Sequence, residues 1–246
     1  MISVCMAAYN GARFIKEQID SILPQLAPDD ELIVSDDGST DGTLEILAEY
    51  AAKDARVRVL KHEKNSAYAK IRHSRNFYYA TDNFENALRH ARGDYIFLSD
   101  QDDVWRSDKI RKMVENLKTV DFVMCSYYVV NEVNEVIEVI DCSYANFSQS
   151  LMRNLIRTPF LGCCMAFTKK VLEAVLPFPK RLITHDLWIG CIMCKSYTFA
   201  VLDEKLVNHR RHSANTSNVG KRSKNPLLWK IFYRAKLFWF LKRFWR

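Results

Sequence analysis

The sequence predicts an α/β protein built on a doubly wound sheet, and three observations carry that expectation. Apolar, strand-like runs at 2–7, 31–35 and 57–61 alternate with amphipathic stretches at 12–23 and 43–52. Short turns rich in Gly, Asn, Asp and Ser join them. Strand, helix, strand, helix, strand in that order implies parallel strands linked by right-handed crossovers. With 246 residues, 48% hydrophobic and 26% charged, the chain has ordinary globular composition. That length suits one large α/β domain, with or without a small appendage.

The elements follow in order. Phe14, Ile15, Ile19, Ile22 and Leu23 recur at helical spacing, and Pro24 and Pro28 close that helix. The strand at 31–35 ends in Asp36-Asp37-Gly38-Ser39, and Asp41 with Gly42 opens the helix at 43–52. Residues 64–82 are polar and basic and read as a long loop or a short helix. A helix at 84–91 feeds a buried strand at 95–98, and a helix at 110–117 follows. A strand at 122–130 is expected to form a hairpin with 136–140, and 147–156 is expected to be helical. Gly162 and small residues lead into a strand by 167. A helix at 171–176 stops at Pro177, a helix at 187–194 follows Thr184-His185-Asp186, and 199–202 reads as a strand.

The chemistry concentrates where the strand at 95–98 ends, in Asp100, Asp102 and Asp103. Three crowded carboxylates repel one another unless something positive sits among them. A hard divalent cation that also holds a substrate phosphate is one solution. A polar loop before a helix is the other reading of the same residues. Asp36 and Asp37 stand at a second carboxyl strand end, where acidic groups in dinucleotide folds take up ribose hydroxyls. No G-x-G-x-x-G follows the first strand and no G-x-x-x-x-G-K-[ST] occurs, so a glycine-rich phosphate cradle is excluded. Asp186 fits both a helix N-cap and a general base. Residues 209–212, His-Arg-Arg-His, pack four cationic or metal-competent side chains together.

The net charge of +7 is uneven: residues 205–246 hold 12 Lys and Arg and no Asp or Glu, leaving 24 basic against 29 acidic residues elsewhere. Such a tail calls for an anionic partner. Eight of its residues from 225 onward are aromatic, which suits an anionic membrane interface; a helix packed on the domain or on a partner protein is the alternative. The seven cysteines are odd in number and irregularly spaced, which points to reduced thiols and a cytoplasmic setting. Cys191 and Cys194 lack a second pair with zinc spacing and read as buried helix residues. The chain opens on a strand-like run with no basic leader before an apolar segment, so a signal peptide is not expected, and no apolar run is long enough to span a bilayer.

Six segments in order resemble the family-2 glycosyltransferases of the GT-A fold: Val-Cys-Met-Ala-Ala-Tyr-Asn-Gly at 4–11, Val-Ser-Asp-Asp-Gly-Ser-Thr-Asp-Gly-Thr at 34–43, Gly-Asp-Tyr-Ile-Phe-Leu-Ser-Asp-Gln-Asp-Asp-Val-Trp at 93–105, Gly-Cys-Cys-Met-Ala-Phe at 162–167, His-Asp-Leu-Trp at 185–188 and Arg-Arg-His-Ser-Ala-Asn at 210–215. The third, with the later His-Asp and Arg-x-His elements, is similar to rhamnosyltransferase-like enzymes of bacterial surface polysaccharides, including O-antigen. The resemblance implies a Rossmann-like mixed sheet with helices on both faces over 1–220 and a basic aromatic helical tail over 221–246. It implies that Ala7, Tyr9, Asp36, Asp37 and Asp100 bind the nucleotide. Asp100, Asp102 and His212 would hold Mg²⁺ or Mn²⁺, and Arg210 would meet the diphosphate. Asp186 would be the catalytic base, with Gly162, Cys163, His185 and Trp188 on the acceptor side. The implied reaction is inverting transfer from dTDP-rhamnose or a UDP-sugar to a glycan or lipid-linked glycan, at the cytoplasmic face of the inner membrane. Segment 64–82 is longer than the family's usual linker and is expected to cover the acceptor side. Two rivals are a sugar nucleotidyltransferase, which needs a glycine-rich loop after the first strand, and a non-catalytic membrane-surface or nucleic-acid binder. Nucleic acid is not expected as a partner, since the acidic clusters repel phosphate.

Overall fold

The structure is a computed structural model that describes residues 1–142, 150–156, 158–213, 215 and 226–245. Its centre is a mixed sheet of nine strands: β1 (Ile2–Ala8), β2 (Glu31–Asp36), β3 (Val57–Lys61), β4 (Tyr95–Asp100), β5 (Val104–Trp105), β6 (Phe122–Val130), β7 (Val136–Ile140), β8 (Met165–Thr168) and β9 (Phe199–Arg210). The order is β3-β2-β1-β4-β8-β6-β9-β5, with β7 paired to β6. The strands β3, β2, β1 and β4 are parallel, whereas β8 runs antiparallel to both β4 and β6. The helices are α1 (Ile15–Ile22), α2 (Thr43–Lys53), α3 (Arg75–Arg89), α4 (Lys109–Leu117), α5 (Leu151–Ile156), α6 (Lys169–Val175), α7 (His185–Ser196) and α8 (Leu227–Phe244).

The first half is the doubly wound unit expected. The chain reverses direction across the sheet between β1 and β4, and such a switch point leaves a crevice at the carboxyl ends of the strands. Ala7 stands in register with Ser35 on β2 and with Asp100 on β4, so both acidic strand ends flank the end of β1.

Three stretches differ from the sequence expectation. Residues 75–82 are helical and belong to α3, which runs 15 residues. Over its first nine residues the buried positions are Tyr78, Thr81 and Asn83, none of them aliphatic. Thr81 Oγ1 donates to the Ile183 carbonyl at 3.0 Å and Asn83 Nδ2 to the Ala8 carbonyl at 3.1 Å. Buried polar side chains with backbone partners are stable, but they do not register as apolar periodicity. Next, β9 continues for 12 residues, although Asp203 and Glu204 are exposed. Its register against β6 shifts on both sides of Ser126, which accommodates the irregular stretch. Finally, the two-residue β5 pairs with β9 and fastens the loop after β4 to the far edge of the sheet.

The C-terminal helix packs on the domain. Leu237 and Leu241 are buried in the same core as the sheet. Trp245 Nε1 donates to Ser196 Oγ at 2.8 Å, Trp229 Nε1 donates to Ser74 Oγ at 3.0 Å, and Arg234 Nε donates to the Leu155 carbonyl. The expected boundary between 220 and 221 lies outside the described residues, as do 147–149 of the helix expected at 147–156. All seven cysteines are buried, with Cys191 and Cys194 inside α7.

Candidate active site

The crevice has two ends. At the β1–β2 end, the two neighbouring carboxylates do different jobs. Asp36 is 1% exposed and accepts from Gly38 N at 3.0 Å, Ser39 N at 2.9 Å and Ser39 Oγ. Both of its oxygens are thus engaged in shaping the turn. Asp37 N donates to the Ala8 carbonyl at 2.9 Å, which ties the turn to β1. The Asp37 carboxylate lies 2.7 Å from His62 Nδ1 and 3.9 Å from Lys64 Nζ. Burial pushes its pKa up, against the opposing pull of His62 and Lys64.

Tyr9 is 47% exposed, and Lys64 Nζ sits 2.9 Å from its ring centroid. The Gln101 side chain grips the Tyr9 backbone on both sides: Tyr9 N donates to Oε1 at 2.8 Å, and Nε2 donates to the Tyr9 carbonyl at 2.9 Å. A Cβ at Gly11 would come within 2.2 Å of Gln101 Oε1, so only glycine leaves room for this clamp. Lys64, at the head of the 64–82 segment expected on the acceptor side, and His62 just before it therefore meet Tyr9 and Asp37.

At the β4 end, Asp102 Oδ2 is 2.8 Å from His212 Nε2 and accepts from Asn215 Nδ2 at 3.2 Å. The His212 ring rests on Phe14, with centroids 4.8 Å apart. Asp100 is raised to about 8, by burial first and then by the charges of Asp103, Asp102 and Asp186. Asp103 is fully buried, 2.9 Å from His209 Nδ1, and accepts from Arg210 N at 3.0 Å. Burial alone would raise Asp103 and lower His209. Their mutual attraction reverses both, holding the carboxyl low and the imidazole well above its usual pKa. Asp103 Oδ2 has no hydrogen-bond partner among the described residues. Asp100, Asp103, Cys163 and His209 bring one ligand atom each to within 4.8 Å of one another.

The set offers two carboxylates, an imidazole and a thiol, and includes the orphaned Asp103 oxygen. Its carboxylates and imidazole fit a divalent cation.

Asp186 is the second residue of α7, and its Oδ1 accepts from Leu187 N at 2.7 Å. Burial raises its pKa to about 6. Gly162 faces it: a Cβ there would lie 3.9 Å from Asp186 Cβ and 3.1 Å from His185 Nε2. His185 stacks 4.1 Å from Phe84, and burial lowers its pKa to about 3, so the ring is neutral.

Three expected site residues point elsewhere. Arg210, expected at the diphosphate, is 1% exposed; its Nε donates to the Asp102 carbonyl at 2.9 Å, Nη1 to the Glu132 carbonyl at 2.6 Å, and Nη2 to Glu17 Oε2 at 2.5 Å. The guanidinium fork holds the backbone of the acidic loop. Trp188 is 3% exposed, donates from Nε1 to the Val175 carbonyl at 3.1 Å, and lies edge-on to Phe244 of α8. It supports α7 from behind. Cys163 points inward, with Sγ 3.9 Å from His209 Nδ1, and its carbonyl accepts from the fully buried Lys109 Nζ at 2.6 Å.

Sequence reasoning named Asp103 in the acidic cluster and His209 in the 209–212 run without pairing them, and it assigned no role to Gln101, Asn215, Lys64 or Lys109. All of these depend on pairings across dozens of residues.

A parallel Rossmann half, an antiparallel continuation and an acidic loop at the switch point are the features of a GT-A glycosyltransferase. Residues 3–176 match the family described as Glycosyl transferase family 2, and the chain belongs to that family. The putative teichuronic acid biosynthesis glycosyltransferase TuaG of Bacillus subtilis is 26% identical, over 100% of this chain and 92% of its own length. An uncharacterised glycosyltransferase of Methanocaldococcus jannaschii is 28% identical, over 97% of this chain and 79% of its own. Among solved structures, S. aureus TarS 1-349 in complex with UDP-GlcNAc superposes with a TM-score of 0.67 at 18% identity, covering 96% of this chain and 66% of that one. The mannosyltransferase PcManGT of Pyrobaculum calidifontis, in complex with GDP-Man and Mn²⁺, has a TM-score of 0.59 at 20% identity, covering 96% and 69%.

Proposed function

We propose that this glycosyltransferase moves a sugar, with inversion, from a nucleoside-diphosphate donor to a hydroxyl of a glycan or lipid-linked glycan of the cell surface. The observation that carries this reading is that α7 brings Asp186 beside the end of β4: a Cβ at Gly162 would lie 3.8 Å from Leu98 Cδ1 and 3.9 Å from Asp186 Cβ, and the charges of Asp186 and Asp102 both act on Asp100. Asp37, His62, Lys64 and the Tyr9 ring bind the base, and Asp100 the ribose. A keto pyrimidine, as in UDP or dTDP, offers an N–H to Asp37 and a carbonyl to Lys64. TarS with UDP-GlcNAc supports a uridine donor. TuaG, by its name, supports a cell-surface polymer as the product.

Asp186 accepts the acceptor hydroxyl's proton on a carboxylate oxygen, and that hydroxyl attacks the anomeric carbon from the face opposite the nucleotide. One base suffices for inversion. Asp100, Asp102 and His212 would hold Mg²⁺ or Mn²⁺, and the Mn²⁺ in the PcManGT complex supports such an ion. A bound divalent ion supplies positive charge to the leaving diphosphate. Arg210 keeps the loop that carries Asp102 in position, and His185 stays neutral beside Gly162 on the acceptor side.

The outward side of α8 supports peripheral membrane association. Leu228, Ile231, Phe232 and Trp239 are 81%, 56%, 54% and 53% exposed, and exposed Lys242 and Arg243 follow them. Apolar side chains beside cations suit an anionic lipid interface. No helix of the described residues is long and apolar enough to cross a membrane.

The test is a thermal-shift panel of UDP-, dTDP- and GDP-sugars with and without Mn²⁺, followed by donor hydrolysis. Metal-dependent stabilisation by a uridine or thymidine donor is expected. Stabilisation by none of them defeats the reading.

A further inference from the structure

Deeper in the molecule than the Asp102–His212 contact, three core side chains converge on one point. Asp103 and Cys163 are 0% exposed and His209 is 4% exposed. They come from three segments: the loop after β4, the turn at 162–164 and the end of β9. His209 Nδ1 lies 2.9 Å from Asp103 Oδ1 and 3.9 Å from Cys163 Sγ. A ring nitrogen carries at most one proton, so it can satisfy only one of these two neighbours. In a nucleophile-activating triad the nucleophile and the carboxylate take opposite ring nitrogens. Here they crowd the same nitrogen, which activates no thiol.

What the convergence does match is a metal coordination sphere. Asp100, Asp103, Cys163 and His209 each bring a ligand atom, and these atoms lie within 4.8 Å of one another. Metal bonds of about 2.0 Å to nitrogen and oxygen and about 2.3 Å to sulfur set neighbouring ligand atoms of a tetrahedron roughly 3.3 to 3.6 Å apart. The 2.9 and 3.9 Å separations at His209 Nδ1 bracket that spacing, so small side-chain shifts close the sphere. A second observation is independent of these distances. Asp103 Oδ2 is buried with no hydrogen-bond partner among the described residues. A buried carboxylate oxygen is costly unless something positive meets it. The surroundings also hold the ligands in place. Arg210 N donates to Asp103 Oδ1 at 3.0 Å, and Lys109 Nζ donates to the Cys163 carbonyl at 2.6 Å. Ligands of metal ions are oriented by such outer hydrogen bonds.

We infer that Asp100, Asp103, Cys163 and His209 form a buried site for a borderline transition-metal ion such as Zn²⁺, separate from the ion proposed at Asp102 and His212. Thiolate and imidazole together select Zn²⁺ over Mg²⁺ or Mn²⁺. Four protein ligands leave no open position, so the ion is structural and ties the loop after β4, the 162–164 turn and the end of β9 together. On binding, the Cys163 thiol and the His209 Nδ1 give up their protons to solvent, because both ligate only when deprotonated. Asp100 has two carboxylate oxygens and can serve this ion with one and the Asp102 site with the other. The inference goes beyond the glycosyl-transfer reading and uses none of its steps.

The probes are Zn²⁺ and Co²⁺, each supplied to the whole chain during its production so that the ion is present as the protein folds. Elemental analysis should find about one tightly held Zn²⁺ per chain, and its removal with a strong chelator should lower the melting temperature. The cobalt-loaded protein should show the near-ultraviolet charge-transfer band of a Co²⁺–thiolate bond and the visible bands of a tetrahedral ion. Cys163→Ser should lose the near-ultraviolet band, and Asp102→Asn should keep it; matching circular dichroism verifies that both variants fold. A band that survives Cys163→Ser belongs to another cysteine and overturns the site. A band lost in folded Asp102→Asn merges the two ions into one and overturns the separate site. Where Cys163→Ser does not fold, the unaltered protein decides by itself: retention of neither metal, or Co²⁺ held without a thiolate band, leaves Asp103 and His209 as an ion pair only and overturns the proposal.

Discussion

Asp102 Oδ2 and His212 Nε2 are 2.8 Å apart although 110 residues of chain separate them. The contact joins the loop after β4 to the end of β9, and β5, which also pairs with β9, keeps that loop from swinging away. In the function proposed above, this carboxylate and imidazole would share a cation with Asp100.

The first prediction follows from this pair. Asp102→Asn and His212→Ala should each weaken Mn²⁺ affinity about 10- to 100-fold, the range seen when a metal site loses a supporting group. Titration calorimetry with Mn²⁺ measures it. Equal affinity in both variants would move the cation elsewhere.

Asp186 gives a pH prediction. Its carboxyl must be ionised to accept a proton, so turnover should rise through about pH 6 and level above it. Asp186→Asn should lose about 100-fold or more of turnover, lose that acid limb, and bind donor normally. The linked stability effect has the opposite sense. A carboxyl whose folded pKa is raised favours the neutral form, so its contribution is fully present below the unfolded value and fades as pH rises through about 6. The Asn variant should therefore melt higher than the parent at pH 8 and close to it at pH 4.

Arg210 is predicted to matter for stability first. Removing its side chain leaves the Asp102 and Glu132 carbonyls and Glu17 without their partner. Arg210→Ala should cost about 2 kcal/mol in urea melts, about 1 kcal/mol for each of the two carbonyls it leaves unpaired, with little from the half-exposed Glu17. Arg210→Lys should recover little, because an ammonium cannot reproduce the fork.

Gln101 should act on nucleotide affinity without touching the nucleotide. Gln101→Ala removes both bonds to the Tyr9 backbone. Each such bond is worth about 1 kcal/mol, so nucleoside-diphosphate binding should weaken about tenfold. Fluorescence quenching by UDP at saturating Mn²⁺ reads this, and an unchanged affinity means that Tyr9 holds its place without the clamp.

The outward side of α8 supplies the last prediction. Leu228→Ser/Phe232→Ser/Trp239→Ser should abolish co-flotation with anionic vesicles while the melting temperature stays within a few degrees, since all three side chains are exposed. Retained flotation would assign membrane contact to another surface.

The sequence by itself determined the doubly wound half, because β1, β2, β3 and β4 are aliphatic runs whose periodicity needs no context, and it located the acidic strand ends by the same local logic. It also singled out Asp37, Asp100, Asp102, Asp186 and His212. Tertiary structure decided which of their neighbours face the crevice. Asp36 and Asp37 are adjacent and chemically identical, yet one shapes a turn while the other meets His62 and Lys64. Arg210 and His212 are two residues apart, yet one is locked beneath the acidic loop while the other reaches Asp102. Residues 75–82 left loop and short helix undecided because their buried side is built from Tyr and Thr, whose burial depends on partners far along the chain. The tail's contacts with α5 and α7 were equally invisible, since its aromatics suit a protein core and a lipid surface alike. Periodicity reports what a segment buries; only the folded neighbourhood fixes where each polar atom finds its partner.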